Sequence, residues 1–155
     1  MKTLYVLRHA KAEAGIKHAW DPADDKNRSL TASGIEDASS VGAWFARKGI
    51  RPGVALVSDA TRTVETWRHV NENARMNVPL RLIPALYLAS ADEITSIVKE
   101  LPNSFTSALV VAHNPGIADL VGEDMSTSAL ATANNIVEWN VFDPSSVRWR
   151  VRNFR

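Results

Sequence analysis

The chain contains no cysteine. That absence excludes a disulfide scaffold, a cysteine-ligated zinc and thiol catalysis together. Long apolar runs are missing as well. The N-terminal run Leu4-Tyr5-Val6-Leu7 ends at Arg8. It is too short for the apolar region of a signal peptide, and no segment approaches the roughly 18 apolar residues of a membrane helix. The expectation is a cytoplasmic protein with no membrane partner. Charge of one sign is also lacking: 18 Lys+Arg face 17 Asp+Glu, for a net +1. Such a balance does not point to nucleic acid. Binding must therefore rest on a local cluster of charge.

What is present is an ordinary globular mixture, 45% hydrophobic and 23% charged over 155 residues. A chain of this size can bury a core without staples and is expected to form one domain over 1–155. There are no repeats or low-complexity tracts. The most polar stretch, His18 to Ser29, reads as a long surface loop, and loops of that length are often functional. Elsewhere two periods alternate. Thr3–Leu7, Val54–Val57 and Ala108–Ala112 resemble strands buried on both faces. Ile35, Ala38, Val41, Trp44 and Phe45 recur at helical spacing, with Gly49 as C-cap. Thr61–Ala74 reads as a helix, as does Ala91–Leu101 with Ser90 or Asp92 as its cap, and Pro115–Val121 forms a shorter one. Ile136–Phe142 and Val147–Phe154, around Asp143-Pro144-Ser145-Ser146, carry a hairpin signal. The predicted class is a three-layer α/β/α fold, its central sheet mostly parallel with antiparallel edge strands near the C-terminus.

In open α/β sheets ligands bind beyond the carboxyl ends of the strands. Arg8 and His9 follow the first predicted strand. Ser58 and Asp59 follow the second, with Thr61 and Arg62 opening a helix. His113, Asn114 and Pro115 follow Ala108–Ala112. Guanidinium forks match phosphate oxygens, and helix N-termini offer free N–H groups. A neutral histidine in such a site can attack phosphorus, while a second, charged histidine stabilises the transition state. No metal is needed where arginines supply the positive charge. The blander readings are a structural histidine and solvated arginines. Metal binding by His9 and His113 is a further alternative, but Glu13 and Asp59 are isolated and no His-x-x-His spacing exists. His18 and His69 read as surface residues.

Leu7-Arg8-His9-Ala10 resembles the Arg-His-Gly signature of the histidine phosphatase (phosphoglycerate mutase-like) superfamily, with alanine in the glycine slot. Ser58 to Thr66 resembles its Ser-x-x-x-Arg-Ala/Thr-x-x-Thr block, and Val111-Ala112-His113-Asn114-Pro115 the block of its second histidine. The short length, the Arg-His-Ala-Lys-Ala start and Arg28-Ser29-Leu30-Thr31-Ala32-Ser33-Gly34 are most similar to small SixA-type phosphohistidine phosphatases. The resemblance implies that His9 is the phosphorylated nucleophile and that Arg8, Arg28, Arg62 and His113 line the phosphate pocket, with no cofactor and no metal. It implies a phosphorylated protein, or else a small phosphorylated molecule, as substrate, and leaves the oligomeric state open.

Larger members of that superfamily carry an acid after the third strand that protonates a leaving alcohol. Here Ile83 to Glu93 offers only Asp92 and Glu93, at a helix start where the helix dipole accounts for them. An alkoxide needs such a donor, whereas a protonated imidazole leaves readily. The gap therefore favours phosphohistidine, with Glu13, Asp21 and Asp92 left as candidate donors. Short connections after Val57 and before His113 predict an open pocket, which suits a side chain presented on a protein. Trp20, Trp139 and Trp149 mark either core or a contact surface, with core favoured.

Overall fold

The computed structural model describes residues 1–15, 21–151 and 153–154. Six strands form one sheet in the order β3-β2-β4-β1-β5-β6: β1 (Lys2–Arg8), β2 (Ala55–Val57), β3 (Leu80–Leu82), β4 (Ser107–Ala112), β5 (Leu130–Ile136) and β6 (Val147–Val151). The first four are mutually parallel, and β5 and β6 add antiparallel neighbours beside β1. The helices are α1 (Pro22–Lys26), α2 (Ala32–Lys48), α3 (Thr61–Asn73), α4 (Ala91–Lys99) and α5 (Gly116–Val121).

Strand alternation builds the three layers. Leu4, Val6, Leu56, Ala108 and Val110 face α4 and α5, packing on Ile94, Val98, Ile117 and Leu120. Leu7, Ala55, Val57, Leu109 and Val111 face the other way, onto Val41 and Phe45 of α2 and Trp67 and Val70 of α3. Both faces of the central strands are buried, as their near-continuous apolar sequences require. The edge strand β3 is exposed along its length.

Helix ends follow the local chemistry. Gly49 closes α2 in the left-handed region at φ 65°. Ser90 and Glu93 form a capping box that opens α4, so the acids at that helix start serve the helix, as the dipole argument expects. Ile35, placed on the buried stripe by periodicity, is 36% exposed; the face buried by α2 is centred on Ala38, Val41, Gly42 and Phe45.

Two expectations are corrected. Ile136–Phe142 is not a strand. The antiparallel partner is β5, upstream, and the chain then makes two 3₁₀ turns, Trp139–Val141 and Pro144–Ser146, before β6. Trp139 decides this: its indole is fully buried and donates from Nε1 to the Phe105 carbonyl at 2.9 Å, which turns the backbone out of the sheet. That also makes Trp139 core. His18 and Trp20 lie outside the described residues, as does the side chain of Trp149; His69 on α3 is part-buried. Second, the polar stretch is not loop throughout. Asp21 caps the five-residue α1 by accepting from the Ala23 N–H, with Pro22 in its first turn.

Candidate active site

Register brings the strand ends together. Arg8 pairs with Ala112 across β1 and β4. The pairing continues one residue further: the His9 N–H donates to the Ala112 carbonyl at 3.2 Å, and the Ser58 N–H to that of Val111 at 3.1 Å. His9, His113 and Ser58 therefore leave adjacent strands at the same level. Here opens a cavity of about 580 Å³ lined by Arg8, His9, Arg28, Arg62 and His113, with Tyr87 and Asp25 on the same wall. All five residues that the sequence singled out meet in it.

The two histidine rings lie 5.4 Å apart between centroids. His9 Nδ1 sits 2.7 Å from the Ala10 carbonyl. A carbonyl only accepts, so Nδ1 carries the proton and Nε2 keeps its lone pair. His113 Nε2 is 2.8 Å from Ser58 Oγ, and Tyr87 packs edge-on against its ring. Arg62 is buried, 2% exposed, where the simplest reading had a solvated charge. Its Nη1 donates to the Asp25 carbonyl at 2.7 Å and its Nη2 to Asp25 Oδ2 at 3.1 Å. Arg28 donates from Nε to Asp25 Oδ1 at 3.1 Å, holds the same oxygen in an ion pair with Nη2 at 2.9 Å, and donates from Nη1 to the Glu13 carbonyl at 3.0 Å. Arg8 Nη1 donates to the Met125 carbonyl at 3.0 Å. Arg8 Nε, Arg62 Nε and His113 Nδ1 are buried without a hydrogen-bond partner among the described residues.

Burial, and after it the Arg62, Arg8 and Arg28 charges, push His9 down to about 4 against the opposing bond to Ala10. Burial, Arg62 and His9 push His113 down to about 3. Both rings are neutral at pH 7 in the empty cavity. Desolvation beside guanidinium groups opposes the proton on both rings. A neutral His9 is what nucleophilic attack requires.

Of the candidate proton donors, only Asp21 reaches the cavity. Glu13 is exposed and contributes its backbone carbonyl to Arg28. Asp92 lines a separate depression with Ser96 and Ile97. Sequence reasoning missed Asp25 and Tyr87. The signal for Asp25 was there: it stands three residues before Arg28, after an Asp-Pro helix start, so a short helix would turn it toward that arginine. Tyr87 left no such trace. Asp59, a candidate metal ligand, is taken by Lys26 at 2.9 Å. Among the described residues no group of three His, Asp or Glu converges as a metal site.

Residues 4–113 match the histidine phosphatase superfamily, branch 1. The chain belongs to that superfamily. An uncharacterized protein of Mycobacterium leprae is 30% identical over 112 residues, covering 72% of this chain and 66% of that protein. The chain thus spans just under two thirds of that relative. The structure of the protein histidine phosphatase SixA with tungstate superposes with a TM-score of 0.73 at 24% identity, covering 96% of this chain and 95% of that one. The α-ribazole phosphatase of Shigella flexneri gives 0.65 at 16% identity, over 88% and 92%. These likenesses establish the superfamily's fold, and they span enzymes with different substrates. No described helix is long and apolar enough to cross a membrane.

Proposed function

We propose that the protein is a metal-independent phosphatase working through a covalent phosphohistidine on His9, and that its substrate is phosphohistidine presented by a protein. The observation that carries the reading is the free Nε2 of His9, neutral and held by its bond to Ala10, inside a ring of Arg8, Arg28 and Arg62. Nε2 forms the bond to phosphorus as the substrate's P–N bond breaks, and the substrate's imidazole, whose other ring nitrogen already carries a proton, departs neutral. Water then attacks, the P–Nε2 bond breaks, and inorganic phosphate leaves. The arginines, with a proton that His113 gains when the dianion binds, stabilise charge on the transferring group.

Charge favours a single phosphoryl group. The described lining holds four cations, Arg8, Lys11, Arg28 and Arg62, against the carboxylates Asp21 and Asp25. The balance of two positive charges matches one phosphoryl dianion. A substrate with further anionic groups would meet the two carboxylates. Leu88, 52% exposed on the rim, offers an apolar surface to a ring. A small-molecule phosphomonoesterase or mutase is the rival activity; an inert phosphate-binding module is the non-enzymatic one.

The test is to mix the protein with phosphoramidate, quench, and look for acid-labile, alkali-stable phosphate on His9, with and without EDTA. Labelling that survives EDTA and vanishes in His9→Ala is expected. No phosphoenzyme and no turnover would sink the enzyme reading, and loss with EDTA would sink metal independence. Faster turnover of a sugar phosphate than of a phosphohistidine peptide would transfer the proposal to the rival.

A further inference from the structure

Three cavity residues, Arg28, Arg62 and Tyr87, converge on one carboxylate, that of Asp25. Oδ1 of Asp25 accepts from Arg28 Nε at 3.1 Å and is ion-paired with its Nη2 at 2.9 Å. Oδ2 accepts from Arg62 Nη2 at 3.1 Å and from the Tyr87 hydroxyl. The Asp25 backbone carbonyl takes Arg62 Nη1 as well, at 2.7 Å. The hydrogen bonds of the buried Arg62 guanidinium thus both end on one residue.

We propose that Asp25 is the positioning residue of the phosphate pocket, fixing Arg28 and Arg62 in the orientation that receives a phosphoryl group. The proposal rests on the reading of those arginines as phosphate ligands.

The geometry separates this role from two others. A carboxylate offers about four acceptor sites, and three hydrogen bonds with one further ion-pair contact engage both oxygens of Asp25. Its oxygens are thus committed to the two arginines and Tyr87. Burial raises its pKa, but the Tyr87 bond and the Arg62 and Arg28 contacts outweigh it and leave the carboxyl below its ordinary value, so it stays an anion. Nor is it a loosely placed counter-ion. Lys26, the next residue, bridges to Asp59 at 2.9 Å and lies 5.2 Å over the Tyr87 ring. α1 is thereby strapped to the turn after β2, close to where α3 presents Arg62. An arginine left free must be ordered during each turnover, whereas one already aimed costs no reorganisation when charge develops. The short helix gains a purpose: it carries one carboxylate into the cleft between two arginines.

The test compares Asp25→Asn and Asp25→Glu with the unaltered protein, using inorganic phosphate as competitive inhibitor and phosphoramidate as phosphoryl donor. Asp25→Asn should raise the phosphate Ki about tenfold or more. It should slow His9 phosphorylation at saturating phosphoramidate by a similar factor, less than the roughly 10²-fold of losing a transition-state donor outright, because both arginines remain but are misaimed. Asp25→Glu, keeping the charge, should recover most of both. A merely structural aspartate would lower the melting temperature and leave the saturated rate alone. Should Asp25→Asn fail to fold, Tyr87→Phe removes one donor to Oδ2 while both arginines remain, and it should raise the Ki severalfold. An unchanged or lower Ki in a folded variant overturns the proposal, a lower one meaning that Asp25 competes with the anion. An unaltered protein that neither binds phosphate nor labels His9 would instead sink the phosphatase reading.

Discussion

Thr66 Oγ1 accepts the backbone N–H of Ala10 at 2.9 Å and donates to the Arg62 carbonyl at 2.7 Å. One buried hydroxyl thus ties the loop that carries His9 to the helix that carries Arg62. Thr63 anchors the other side of that turn, donating to the Ser58 and Ala60 carbonyls. Thr66→Val keeps the shape and removes the acceptor, leaving the Ala10 N–H buried and unpaired. The expected cost is about 1–3 kcal/mol in denaturant unfolding, together with slower labelling of His9. Thr66→Ser should restore both. Full activity in a Thr66→Val protein of lowered stability would show that the tether does not set the His9–Arg62 geometry.

Gly34 makes the second tether. A Cβ at this position would lie 2.1 Å from the Lys11 carbonyl oxygen, and no side-chain rearrangement relieves a clash with backbone. The glycine lets the first turn of α2, capped by Thr31 Oγ1 on the Gly34 N–H, press against the segment just past His9. Gly34→Ala should destabilise by about 1–3 kcal/mol, as overpacking does, although alanine favours helix. Gly49→Ala, whose Cβ meets nothing, strains only its positive φ and should spare activity. Equal loss of labelling in both variants would contradict a role for the Gly34 contact.

These tethers explain how much was legible in the sequence. Strands buried on both faces read as apolar runs, and a charged residue at the end of such a run had to stand at the sheet's rim. Arg8, His9 and His113 were visible for that reason, and Arg62 because it opens a helix directly after β2. Thr63 and Thr66 appeared only as parts of a family pattern. Their purpose needs the fold, since Thr66 bonds a residue 56 positions away. β5 was hidden because Leu-Ala-Thr-Ala-Asn-Asn-Ile is poor in β-branched residues, while Ile136–Phe142 imitated a strand until burial of Trp139 overrode it. Asp25 was legible only through its spacing to Arg28: among Asp21, Asp24 and Asp25, the short helix α1 decides which acid meets that arginine.

Arg62→Ala removes the most buried cation of the pocket and should lower the rate of His9 phosphorylation on the order of 10²-fold or more, as loss of one transition-state donor does. Arg62→Lys should recover little, because an ammonium cannot make the paired contacts to Asp25 and a phosphoryl oxygen together. The effect should fall on the rate at saturating phosphoramidate as well as on the phosphate Ki. Near-full activity in Arg62→Ala would remove Arg62 from the pocket.

The depressed histidines make stability depend on pH with a definite sign. His9 titrates at about 4 and His113 at about 3 in the folded protein, against about 6.5 in an unfolded chain. Between those values the unfolded state binds more protons, so the free energy of unfolding, and with it stability, falls as pH drops from about 6.5 toward 4. Each histidine contributes a slope approaching about 1.4 kcal/mol per pH unit once its unfolded form is fully protonated. Denaturant unfolding at pH 7 and pH 5 should show the loss, and His113→Asn should reduce it. Asp25 adds to the trend only below the ordinary carboxylate range, because its own pKa is lowered. A stability curve flat from pH 7 to 5 would mean that both rings accept protons in the folded cavity, and the neutral His9 nucleophile would lose its physical basis.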